Sequence, residues 1–155
     1  MRMSEFVIKE ALIPNLTQTT KEGVIREMVE SLKRSGHIKA SQVESIVKAL
    51  LKREQLGSTG IGHGVAIPHT KHEGVDRPIG TVAVSHQGVD FQSIDNEAVY
   101  IFVLLISPLE RTGEHLRALE NVTRNLRNET FCRFLRQATT ADEIWELILE
   151  AEGSA

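Results

Sequence analysis

A chain of 155 residues, 41% hydrophobic and 25% charged, is long enough to bury a core without disulfides or a structural metal. One cysteine, Cys132, excludes an intrachain bridge and points to a reducing compartment. The net charge of −3 and pI near 6.1 argue against a nucleic-acid partner. The longest apolar run, Ala98 to Ile106, falls far short of the roughly 20 residues that cross a bilayer. Glu5 stands where a signal peptide would begin its apolar core. The expectation is one domain, residues 1–155, cytoplasmic and without direct membrane insertion.

In chain order, helices come first. Thr19 and Glu22 read as a capping box opening a helix with Val24, Ile25, Met28, Val29 and Leu32 on its inner face and Gly36 as its stop. Ser41 and Glu44 read as a second box, before Val43, Ile46, Val47, Leu50 and Leu51. The middle changes period. Val65 to Ile67 predicts a short strand, Val82 and Val84 alternate toward a turn at Gln87-Gly88, and Val99 to Ile106 reads as a strand covered on both faces. Beyond Pro108, a helix fits Gly113 to Leu126, with Thr112 as its cap and Leu116, Leu119, Val122 and Leu126 inward. A short helix fits Phe131 to Arg136. Thr140 and Glu143 open the last helix, followed by Ile144, Trp145, Ile148 and Leu149. The fold class is α/β, a mostly buried sheet flanked by helices.

The segment Gly57 to Thr70 holds 14 residues, four of them glycine, and no charge. It lacks the Gly-Lys-Ser/Thr of a phosphate-binding loop and the third glycine of a dinucleotide fingerprint. Its backbone N–H groups can form an anion-binding concavity; an ordinary mobile loop is the alternative. His69 follows Pro68, which fixes its own φ and biases Ile67 toward an extended conformation. That places an imidazole at a strand end with no carboxylate near it in sequence, as a neutral phosphoryl acceptor requires. A structural histidine is the other reading. His115 falls in the first turn of a helix, where the dipole favours an anion, or it is a surface histidine. His63, His69 and His72 match no metal-ligand spacing, and no metal or cofactor is expected. Cys132, in an amphipathic segment, reads as a buried structural thiol.

Together, Arg53-Glu54-Gln55-Leu56-Gly57-Ser58-Thr59-Gly60-Ile61-Gly62, then Gly64-Val65-Ala66-Ile67-Pro68-His69, Pro108 and His115-Leu116-Arg117-Ala118-Leu119 resemble a known family. They are similar to the enzyme IIA domain of the fructose–mannitol class of the bacterial phosphoenolpyruvate-dependent phosphotransferase system, which includes nitrogen-regulatory IIA proteins. The resemblance runs from about Ser4 to Glu150. It implies a central mixed sheet with helices on both sides. It further implies that His69 accepts a phosphoryl group on Nε2 from the carrier HPr or a paralogue. His115 is then the second active-site histidine, and Arg53 offsets phosphate charge, with Thr59 and Gly60 beside it in the binding site. The implied partners are an HPr-type phosphocarrier and a IIB protein or regulatory targets. A nitrogen-type regulator is the leading expectation. A separate sugar-uptake component and a non-catalytic binding module of the same fold are the alternatives.

Overall fold

A computed structural model describes residues 1–153; Ser154 and Ala155, the end of the expected domain, lie outside the described residues. The elements are α1 (Met3–Phe6), α2 (Lys21–Arg34), α3 (Val43–Gln55), β1 (Gly60–Gly62), β2 (Val65–Ala66), β3 (His69–Lys71), β4 (Ile79–Val89), β5 (Val99–Ser107), α4 (Thr112–Leu126), α5 (Glu129–Gln137) and α6 (Ala141–Gly153). The sheet is built on β5. β4 runs antiparallel along one edge, Ile79 opposite Ile106 and Val84 opposite Ile101. Along the other edge lie β2 and then β3, both parallel to β5, with Val65 opposite Ile101 and His69 opposite Leu105. β1 folds back antiparallel on β2. The expected mixed sheet is therefore present.

Period-two alternation sorts the strand side chains into two cores. Ala83, Phe102, Leu104 and Ile106 pack under α2 and α3, against Ile25, Met28, Ile46 and Leu50. Val82, Val84, Ile101, Val103 and Leu105 pack under α1, α4, α5 and α6, against Phe6, Val122, Leu135 and Ile148. Helices thus cover both faces, and β5 is buried on each. The outer edge of β4 is closed by the N-terminal segment, through Ile8 N to Gly80 O and Ile13 N to Val82 O, which leaves no open template for pairing there. No helix among the described residues is long and apolar enough to cross a membrane.

Several local expectations need correction. The cap of α2 is Thr20, which accepts from Gly23 N, rather than Thr19. No box opens α3: a 3-10 turn at Ala40–Gln42 precedes it, and Glu44 pairs with Arg26 instead. Thr140 caps α6 as expected, accepting from Glu143 N at 3.1 Å. α5 begins at Glu129, two residues earlier than expected, because Asn128 accepts from Phe131 N. Gln87-Gly88 is no turn; β4 runs through it to Val89, with a bulge and Gly88 at φ +88°. On α4, Thr112 is the first helical residue, not the cap. Leu116 is exposed, and the inner face is His115, Ala118, Val122 and Leu126. Apolar spacing alone favoured Leu116, but the helix rotates to bury the imidazole.

Gly80 leaves no room for a side chain, because a Cβ there would collide with Leu104 O across the sheet. Gly80→Ala must push β4 away from β5, at a cost of about 1–3 kcal/mol as for other overpacked sites. Thermal denaturation should show a midpoint lowered by several degrees. Gly153→Ala, with open space around it, should leave the midpoint within about a degree.

Candidate functional site

Proline determines how His69 is presented. Pro68 carries no N–H, and its carbonyl accepts from Leu105 N at 3.0 Å, so the β5 pairing resumes at His69. Ile67 is thereby taken out of the ladder. Its N–H is donated to Thr59 O at 3.0 Å, and its carbonyl lies 2.6 Å from His69 Nδ1. A carbonyl can only accept, so Nδ1 carries the proton and Nε2 holds a free lone pair. Burial pushes the His69 pKa below its ordinary value. The hydrogen bond to Ile67 opposes that, the Arg53 charge reinforces it, and the Glu54 charge opposes it.

The second imidazole comes from α4, where it faces β5. His115 is buried, and its Nδ1 is 2.6 Å from Oγ of Ser107, the last residue of β5. Its ring centre is 5.7 Å from that of His69, with the planes tilted by 50°. Burial, then electrostatic coupling to His69 and to the Lys71 charge, lowers its pKa to about 4. Both rings are therefore neutral at pH 7, one of them with an unoccupied Nε2. Lys71 sits two residues past His69 on β3 and donates to Thr112 Oγ1 at 3.2 Å. A neutral nitrogen nucleophile beside a second imidazole, with Arg53 and Lys71 within electrostatic reach, suits attack on an anionic electrophile.

The other residues singled out from sequence sit close by with different tasks. Arg53 closes the end of α3, Nη1 donating to Gly57 O at 2.9 Å. Thr59 is buried and gives both its N–H and its hydroxyl to Glu54. Gly60 N–H goes to Ser58 Oγ at 3.0 Å, and Ser93 occupies the space of a Cβ there. These donors are taken, so the backbone concavity expected for an anion is not formed at Thr59 and Gly60. The uncharged stretch is not a mobile loop either. It is a hairpin, turned at His63 (φ +57°) and Gly64 (φ +79°), with eight of its 14 residues buried. It carries no charge because most of it is core.

His63 lies exposed at that turn, its N–H donated to Asp95. His72 is buried and structural, with Nδ1 accepting from Gly74 N at 2.8 Å and Nε2 at 2.7 Å from Ser45 Oγ. Cys132 is half-buried against Leu126 O, and burial pushes its thiol pKa up. Three residues near the histidines had no role from sequence: Ser107, Lys71 and Glu54. Ser107 left a signal as the polar residue between the apolar run of β5 and Pro108, and Glu54 as a member of the motif that begins at Arg53.

Comparison with known proteins gives a consistent relationship. The family described as "Phosphoenolpyruvate-dependent sugar phosphotransferase system, EIIA 2" matches residues 5–151. A nitrogen regulatory protein of Bradyrhizobium diazoefficiens is 30% identical over 148 residues, covering 96% of this chain and 95% of that protein. The fructose-specific EIIABC component of Bacillus subtilis is 32% identical over 148 residues, which is 96% of this chain and 23% of that one. The crystal structure of nitrogen regulatory protein IIA-Ntr from Neisseria meningitidis superposes with a TM-score of 0.83 at 27% identity, covering 93% of this chain and 97% of the other. With the fold and a family match over residues 5–151 in agreement, the chain belongs to the EIIA 2 family of the phosphoenolpyruvate-dependent sugar phosphotransferase system.

Proposed function

We propose that the protein is a cytoplasmic phosphohistidine carrier in which His69 is the acceptor. The observation that carries this reading is the 2.6 Å contact between His69 Nδ1 and Ile67 O, which leaves Nε2 as the free nucleophile. Nε2 attacks phosphorus in the phosphohistidine of an HPr-type donor. A new N–P bond forms at His69 as the donor's N–P bond breaks, and the donor nitrogen leaves with the electron pair. The proton on Nδ1 stays against Ile67 O, so no base is needed. His115, Arg53 and Lys71 stabilise the transferring oxygens, the cations by charge and the imidazole by hydrogen bonding. The phosphoryl group then passes to a IIB protein or alters which regulatory targets the carrier binds.

A nitrogen-type regulatory output is favoured by the relative matched along 95% of its length, a nitrogen regulatory protein. Feeding a sugar permease is the second reading, supported by the 32% identity to the fructose component. Retention of both histidines in contact weighs against a binding module that has lost transfer.

Incubation with phosphoenolpyruvate, enzyme I and an HPr-type carrier should give an acid-labile, alkali-stable phosphate on the wild-type chain and none on His69→Ala. Label on the folded variant equal to that of wild type would remove His69 from the mechanism. His115→Ala should still be labelled at His69 but pass phosphate on about tenfold more slowly or worse.

The histidine pKa values set the pH behaviour. His115 binds a proton near pH 4 when folded but near 6.5 when unfolded. Between those values the unfolded chain holds more protons, so stability falls as pH drops from about 6.5 to 4 and is flat in this respect above that window. NMR titration should place the His115 midpoint near 4, with that of His69 below its ordinary value. Denaturant melts should show a shallower acid loss for His115→Gln than for wild type.

A further inference from the structure

We propose that Glu54 is a positioning residue for His69, acting through Thr59 and the carbonyl of Ile67; the inference rests on the carrier reading above. Its side chain is almost fully buried at the end of α3, where an unpaired carboxylate is costly and long acidic side chains are rare. Its two oxygens are held by three donors. Oε1 accepts from Thr59 N at 3.1 Å and from Lys21 Nζ at 3.0 Å, and Oε2 accepts from the Thr59 hydroxyl. Lys21 belongs to the first turn of α2, and its ammonium also lies 4.7 Å from the centre of the Phe91 ring. Three separate segments therefore meet at one carboxylate: the start of α2, the end of α3 and the residue preceding β1.

The consequence travels through backbone. Thr59, fixed from its side chain and its N–H, presents its carbonyl to Ile67 N at 3.0 Å. That bond anchors Ile67 at its N–H, and the carbonyl on the other side of the same residue holds His69 Nδ1 at 2.6 Å. Ile67 lies between the end of the β2 pairing at Ala66 and the return to β5 at Pro68 O, so its N–H is held by Thr59 and not by β5. Glu54 touches no reacting atom. Its charge does reach the imidazole, where it opposes the Arg53 charge. A buried ion pair of this kind contributes little net stability compared with apolar packing. Its presence is accounted for by the anchoring that it gives Ile67 through Thr59, which two apolar side chains would not reproduce.

The test combines the His69 tautomer, read from imidazole nitrogen shifts of the unphosphorylated chain, with the rate of labelling by a phosphorylated HPr-type carrier. Wild type should show one tautomer, protonated at Nδ1. Glu54→Gln should give a mixture of tautomers and a kcat for phosphoryl acceptance lower by about tenfold, with the KM for the carrier unchanged. Thr59→Val, which leaves the ion pair intact, should move both in the same direction by less, and Thr59→Ser should restore the single tautomer. If Glu54→Gln fails to fold, Thr59→Val decides. A folded variant that keeps the single tautomer, or loses it with kcat unaltered, would overturn the proposal. If wild type takes no label at all, the carrier reading fails, and the tautomer measurement still decides whether Glu54 orients the ring.

Discussion

The hydrogen bond from His69 Nδ1 to the Ile67 carbonyl is the contact on which the proposed phosphoryl transfer depends. An isolated imidazole exchanges its proton between two nitrogens, and each form offers a different atom to an electrophile. Pinning the proton on Nδ1 leaves one nucleophile, Nε2, in a fixed direction. The bond is available only because Ile67 is released from sheet pairing, and it is released because Pro68 interrupts the edge between β2 and β3. A proline that would be a fault inside a central strand here separates a structural strand from a functional one.

The rest of the fold keeps that contact in place and the ring uncharged. β5 is buried on both faces and carries β3 on one edge and β4 on the other. Its last residue, Ser107, contacts His115 through Oγ, while its carbonyl accepts from His72 N at 2.8 Å. One strand end thus fixes the second imidazole and the exit of β3. Burial lowers the pKa of both histidines, a cost in protonation that becomes an advantage in the proposed mechanism, where the imidazole attacks a phosphoryl centre while neutral. The nearby cations, Arg53 and Lys71, favour the same neutral state and then attract the anion that arrives. Electrostatics before and after transfer point the same way.

Much of this was legible in the sequence, for identifiable reasons. The long apolar runs and the faces of α2 and α3 follow from periodicity, which burial enforces over many residues at once. His69 and His115 were legible as a pair from motif resemblance, and the fold brings them to 5.7 Å. What failed was local and decided by tertiary contact. Leu116 outranks His115 in hydrophobicity, but α4 turns the histidine inward because Ser107 offers it a partner. The glycine-rich stretch resembled a loop because its charges are missing, yet the absence reflects burial in a hairpin. Glu54 stood in the motif with no visible task, since its partners Lys21 and Thr59 lie 33 residues before it and five after. Only the packing of α2 against α3 brings them together.

The role of the Ile67 contact is tested by the position of the N–P bond in the phosphorylated chain, read from nitrogen–phosphorus coupling in the His69 ring. Phosphate is expected on Nε2, with the Nδ1 proton still bonded to Ile67 O. Phosphate on Nδ1 would contradict that role, because that bond requires the Ile67 contact to break before transfer.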